Sequence, residues 1–167
     1  DRGYQEVNLN MGCPSGTVTA KGKGAGMLGN LPHLTQFLEE IFPKSPVKIS
    51  VKTRIGVESS EEFPKILAIL DQYPFTEWII HPRVRKAFYK GAVDPDAFRY
   101  AVQNSKLPVC YNGDIRTLSD MEFLKKEFPR ISSLMIGRGL ITDPGMLQGY
   151  TDRKVLFTFH EELFDEY

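Results

Sequence analysis

The sequence predicts an α/β protein with a parallel sheet, more narrowly about five consecutive strand–helix units of a (β/α)8 TIM barrel. Three observations carry that prediction. Short apolar runs alternate with segments of helical periodicity. No hairpin signal joins neighbouring strands. Every strand runs out into polar or glycine residues at its carboxyl end: Asn10, Lys52 and Arg54, His81 and Arg83, Asn112-Gly113-Asp114, and Gly137-Arg138. In a barrel all such ends meet at one mouth, whereas an open doubly wound sheet concentrates its site at one switch point.

In chain order, VNLN (7–10) reads as a buried strand, followed by a long glycine-rich loop. Asn30 and Pro32 open a helix on which Leu34, Phe37, Leu38 and Ile41 recur at helical spacing. PVKISVKTRIG (46–56) is the second strand; Ser59 and Glu62 then form a capping-box signal. Phe63, Ile66, Leu67 and Leu70 line the next helix, whose Pro64 is tolerated only in a first turn. EWIIHPR (77–83) is the third strand, followed by a polar loop and a helix opened by Asp94-Pro95. LPVCYNGDI (107–115) is the fourth, and Thr117 with Asp120 caps a helix carrying Met121, Leu124 and Phe128. ISSLMIGRG (131–139) is the fifth. A turn at Thr142-Asp143-Pro144 precedes a last helix from Lys154 to about Tyr167. The expected division is a partial barrel over 1–149 and the start of a C-terminal helical segment over 150–167. Val7, Leu9, Ile49, Val51, Ile79, Val109 and Met135 are expected on the barrel's inner face. Five strands do not close such a barrel, so open edges and self-association through them are expected.

Composition narrows the function classes. The 167 residues are 41% apolar and 25% charged, an ordinary globular composition. Lys+Arg and Asp+Glu balance at 21 each, so any basic site must be local. No apolar run has the length of a membrane span, and no signal peptide is visible. The chain starts without methionine and enters a strand almost at once, which suggests a piece of a larger protein. Two cysteines and three histidines supply neither a disulfide framework nor a zinc cluster. Reducing cytoplasm is the expected compartment, with no metal.

The loop GCPSGTVTAKGKGAGML (12–28) invites a phosphate-cradle reading that counting rejects. A Walker loop has four residues between its first glycine and Gly-Lys, but Gly16 and Gly22 are separated by five. Gly24 to Gly29 does spell G-x-G-x-x-G, yet the strand that must feed the first glycine is absent. The loop instead presents Cys13, just past a strand end and before a proline. A structural cysteine is ordinarily a small buried hydrophobe within an element, as Cys110 reads.

These strand ends also carry a resemblance. VNLNMGCPS with KGKGAGML, VKTRIG, HPRVRKAFYKG, YNGDI and MIGRG resemble, in that order, the motifs of the tRNA-dihydrouridine synthases, from about Val7 to Leu140. The resemblance implies a flavin-binding barrel followed by a small helical RNA-binding domain. It also implies FMN and NADPH as cofactor and reductant, and reduction of a tRNA uridine at C5–C6. It makes the five strands the fourth to eighth of the barrel.

By resemblance, Cys13 is the acid that protonates C5, and an ordinary thiol is protonated at neutral pH, as an acid must be. The loop is then a movable arm that carries it. Lys52 and His81 are implied at the flavin, with Asn112, Gly113, Asp114, Gly137 and Arg138 also in the cofactor site. The last two strand ends are the usual phosphate grip of such barrels, and Arg138 can fork two oxygens; Asp114 reads better as a group that orients the loop or caps the next helix. Asn10, Arg54, Arg83 and Arg85 are implied on the substrate side. Pro82 stands where the family has glycine, which alters the contacts expected of His81 and Arg83. Arg83, Arg85, Lys86 and Lys90, interleaved with Phe88 and Tyr89, suit RNA backbone and base stacking. The competing readings are another flavin barrel, resembling dihydroorotate dehydrogenase, and a non-catalytic RNA-binding remnant.

Overall fold

A computed structural model describes residues 3–149 and 152–166. Five parallel strands form one open sheet in sequence order: β1 (Glu6–Met11), β2 (Lys48–Arg54), β3 (Trp78–His81), β4 (Val109–Asn112) and β5 (Ser133–Met135). The helices are α1 (Gly16–Thr19), α2 (Leu31–Ile41), α3 (Phe63–Leu70), α4 (Pro95–Asn104), α5 (Leu118–Glu127), α6 (Arg138–Thr142) and α7 (Arg153–Glu166). The expected order of the five strands and of the helices α2–α5 and α7 therefore holds; β1 is longer than its apolar run, the other four strands are shorter, and α1 and α6 are additional. Tyr167, the expected end of the last helix, lies outside the described residues, as do Tyr150 and Thr151 at the expected domain boundary.

Local chemistry starts the helices where their caps stand. Asn30 accepts from the His33 amide, and Asp94 from Asp96 and Ala97. Ser59 with Glu62, and Thr117 with Asp120, form complete capping boxes. Pro64 and Pro95 sit in first turns, where no amide is needed.

Register decides which side of the sheet is the core. Val51 pairs with Trp78, Trp78 with Val109, Thr53 with Ile80, and Ile80 with Tyr111. Paired residues of a parallel sheet share a face, and this face packs with Leu34, Leu38, Phe63, Ile66, Leu70, Phe98 and Leu124 of α2–α5 in one cluster. The other face carries Asn8, Asn10, Ser50, Lys52, Arg54, Ile79, His81, Cys110 and Asn112. Helices on one face are the barrel arrangement; a doubly wound sheet is covered on both. One expectation needs correction. Of the residues assigned to the inner face, only Ile79 and Met135 lie there, whereas Val7, Leu9, Ile49, Val51 and Val109 belong to the helix face. In VKISV, Val47, Ile49 and Val51 alternate with Lys48 and Ser50, and alternation separates the two faces without saying which of them meets the helices.

The core is closed by aromatic contacts. Phe98 meets Tyr111 and Phe128 edge-on at 4.8 and 4.9 Å, and the Trp78 indole donates to Thr53 Oγ1 at 2.8 Å. α7 buries none of its side chains. Phe98→Ala is expected to lower stability by about 3–5 kcal/mol, read from urea unfolding. A loss below about 1 kcal/mol would mean that α4 is not seated on the sheet through this ring.

Candidate active site

Because all five strands run the same way, their carboxyl ends open on one side, around a cleft of about 450 Å³. Each strand contributes: Asn10 and Cys13 from β1, Lys52 and Arg54 from β2, His81 from β3, Asn112 to Asp114 from β4, Gly137 and Arg138 from β5. Register sets Asn10 beside Lys52, Arg54 beside His81 and Asn112 beside Met135.

The Cys13 loop is folded, with its main chain held at several points. Asn10 Oδ1 accepts the amides of Gly12 and Cys13, both at 3.1 Å. Cys13 O accepts from Ala25 at 2.9 Å. The segment between forms α1 and a 3-10 stretch, Gly24–Gly29, in which Ala25 and Leu28 are buried. Gly24 has φ +56°, and a Cβ there would stand 2.8 Å from the Cys13 carbonyl. Glycine is what lets this segment close on the cysteine.

The cleft is rich in positive charge. Arg54, only 1% exposed, donates through Nε to Gly12 O at 3.1 Å and through Nη1 to Val84 O at 3.0 Å. It thus ties the loop after β1 to the loop after β3. Its guanidinium stacks 5.4 Å from the Tyr89 ring centroid. The Lys52 ammonium has no hydrogen bond or ion pair among the described residues; burial first, then Arg54, push its pKa down. His81 is buried, and burial, Arg54, Lys52 and Arg83 bring its pKa to about 3. Its Nε2 faces an Arg83 Nη1 donor at 3.1 Å, so the proton of the neutral ring belongs on Nδ1.

Pro82 forms a tight turn in which the Arg83 amide donates to His81 O at 2.7 Å. The proline φ suits that geometry. The turn carries Arg83 behind the cleft wall, where its guanidinium meets Gly91 O, His81 and the Asp114 carboxylate. Hydrogen bonding from Arg83 holds Asp114 below the usual carboxylate range, against burial. Arg138 donates to the same carboxylate at 3.0 Å and stacks over Tyr89 at 5.0 Å.

The structure therefore assembles ten of the twelve expected site residues around one cleft and leaves out two. Arg83 braces the wall with its guanidinium fully engaged. Arg85 turns away to pair with Glu58 at 2.9 Å. The cleft also includes Tyr89 and Arg116, outside the expected site. Arg116 was legible as a cation two residues after Asp114; that Tyr89 would lie between two guanidiniums was not. Lys52, Arg54, Arg116 and Arg138 face a single lining carboxylate, Asp114, whose charge is already taken. Such a cleft attracts an anion. Among the described residues, no group of histidine, cysteine and carboxylate side chains is arranged to hold a metal ion, and no helix is long and apolar enough to cross a membrane.

Five strands of a (β/α)8-type sheet with a thiol, a half-buried lysine and an anion-seeking cleft at their carboxyl ends define a barrel-type α/β protein with an enzyme-like site. Comparison with known proteins makes this specific: the dihydrouridine synthase family model matches residues 1–161, and the chain belongs to that family. It is 29% identical over 140 residues to tRNA-dihydrouridine synthase B of Shewanella oneidensis, covering 83% of this chain and 43% of that protein. It is 33% identical over 141 residues to a probable tRNA-dihydrouridine synthase of Helicobacter pylori, covering 83% and 42%. With tRNA-dihydrouridine(20/20a) synthase of Salmonella typhimurium it shares 27% over 169 residues, covering 92% and 49%. The chain thus spans less than half the length of these relatives.

The depressed pKa of His81 has a direction in pH. An unfolded histidine titrates near 6.5 and the folded one at about 3. The stability tied to its neutral burial is complete above about 6.5 and is lost as pH falls from there towards 3. NMR titration of the His81 ring should show no protonation between about pH 8 and 4. A midpoint near 6.5 would mean that the three cations do not surround it as described.

Proposed function

We propose that this chain is the active-site portion of a tRNA-dihydrouridine synthase, in which FMN, reduced by NADPH, reduces the C5–C6 bond of a tRNA uridine. The single observation that carries this reading is the convergence of Cys13, neutral His81, Arg138 and a Lys52 without a partner among the described residues on one cationic cleft.

FMN fits these residues by charge and by room. The phosphate is the anion that the uncompensated cations call for. A Cβ at Gly137 would meet nothing within 4 Å, so its backbone is open to a ligand. Arg138, Gly137 and the Asn112-Gly113 turn would hold the phosphate, Lys52 the electron-rich edge of the ring, and His81 would offer a neutral Nδ1–H. When bound, FMN supplies a hydride to C6 of the uracil.

The chain's own residues do the rest. The Cys13 thiol gives its proton to C5 and recovers one from solvent, which balances the hydride. Asn10 fixes the Cys13 backbone through its two amide hydrogen bonds. Arg54 locks the same loop from the β2 side. The basic loop Arg83–Lys90 and the cleft mouth face the RNA, and Arg85 serves there only if it leaves Glu58. Residues 1–149 form the barrel portion. Residues 150–167 begin the helical RNA-binding domain, in keeping with the exposed Phe157, Phe159, Leu163 and Phe164 of α7. β1 and β5 lie at the ends of the sheet, and their outer edges are where further strands, or a second copy, would pair.

In the full-length enzyme, Cys13→Ala should retain FMN and its reduction by NADPH while tRNA turnover falls roughly 10²–10⁴-fold. Dihydrouridine formation at the wild-type rate would remove Cys13 from the chemistry. Arg138→Ala should weaken FMN binding by about 1.5–3 kcal/mol, read by flavin fluorescence titration. Equal affinities would take Arg138 out of the cofactor site.

A further inference from the structure

Asp114 lies between two parts of the cleft that the reaction uses separately. One is the Arg83–Gly91 loop, which carries Tyr89; the other is Arg138, just past β5. Arg83 is 3% exposed and spends its donors on both Asp114 oxygens and, at 3.2 and 2.6 Å, on Gly91 O. It therefore pins the loop at its start and its end. Arg138 reaches the same loop by two routes, through Asp114 Oδ1 at 3.0 Å and through the Tyr89 ring at 5.0 Å. Asp114 itself holds φ +44°, a left-handed conformation that aspartate and asparagine tolerate better than bulkier residues. That backbone turn aims one carboxylate at two guanidiniums from different strands.

We propose that Asp114 is a positioning residue that couples the anion-binding end of the cleft, at Arg138, to the Arg83–Gly91 loop. Arg138 uses only Nη2 on Asp114, which leaves other guanidinium donors for an anion. An anion held there stills the guanidinium, and with it the Tyr89 ring and the carboxylate that secures Arg83. By reciprocity, whatever orders the loop tightens the anion site by the same factor. The proposal rests on the reading above for what occupies each end, FMN phosphate and RNA. The coupling itself needs neither.

Amide hydrogen exchange in the full-length protein tests it without any ligand. The loop is reported by the amides of Lys86, Ala87, Phe88 and Lys90, which bond to Val57, Val84, Arg85 and Ala87 carbonyls. The Arg138 side chain is 55% exposed, so Arg138→Ala should fold. It should speed exchange at these amides several-fold, and Asp114→Asn by roughly 5–150-fold, while β2 amides stay at their wild-type rates. FMN added to the wild type should slow the same loop amides. In Asp114→Asn, FMN should still bind with that slowing abolished, which a merely structural role would not produce. Loop exchange equal in Arg138→Ala and wild type would overturn the proposal, whether or not Asp114→Asn folds. A wild-type protein that binds no FMN would sink the flavin reading instead, and the Arg138→Ala comparison would still decide the coupling.

Discussion

Everything at the site depends on one constraint, the common direction of five hydrogen-bonded strands. In a parallel sheet each residue shares its face with its partner, and each strand ends on the same side as its neighbours. Here that places apolar side chains against α2–α5 and polar ones on the opposite face, then gathers five polar termini around one cleft. The helices secure the sheet from one side only, which leaves the other side to chemistry.

The electrostatics follow from that gathering. Three cationic side chains, Lys52, Arg54 and Arg83, crowd His81, and burial with their charge keeps its imidazole neutral. Arg54 and Arg83 offset their own burial by donating to main-chain carbonyls and, for Arg83, to Asp114. Lys52 has no such offset among the described residues, and its lowered pKa records the cost. A cleft with its acidic group already engaged and a lysine left over is prepared for an anionic ligand. This links the geometry to the flavin phosphate and nucleic-acid chemistry proposed for the chain.

The loops are held by hydrogen bonds that cross between strands. Arg54 of β2 fastens the loop after β1 to the loop after β3, and Asp114 after β4 fastens Arg83 after β3 to Arg138 after β5. Neighbouring loops are thus braced through guanidiniums, and the loops after β2 and β3 also through main-chain bonds from Arg85 to Gly56 and from Lys86 to Val57. Cys13 sits inside this bracing, with its main chain held by Asn10 and Ala25. The proton-donor role proposed for Cys13 would benefit from such fixed placement, because misplacement by an ångström is costly in rate.

The sequence by itself determined the order of the strands, the starts of the capped helices and most of the polar residues that line the cleft. Caps at Asn30, Ser59, Asp94 and Thr117 act on amides two or three residues away, so their signal is local and survives in the chain. The polar strand ends were legible for the same reason, since a lysine or asparagine closing an apolar run is visible without coordinates. What only the tertiary structure decided were relations between distant segments. Val51 and Val109 belong to the helix face because register with Trp78 puts them there, and no single strand contains that information. The glycine loop is a folded unit because Gly24 closes on Cys13. Arg83 left the expected substrate side because Gly91 O and Asp114 offered it acceptors behind the wall. A buried guanidinium goes where its hydrogen bonds can be met, and those acceptors lie 8 and 31 residues away along the chain.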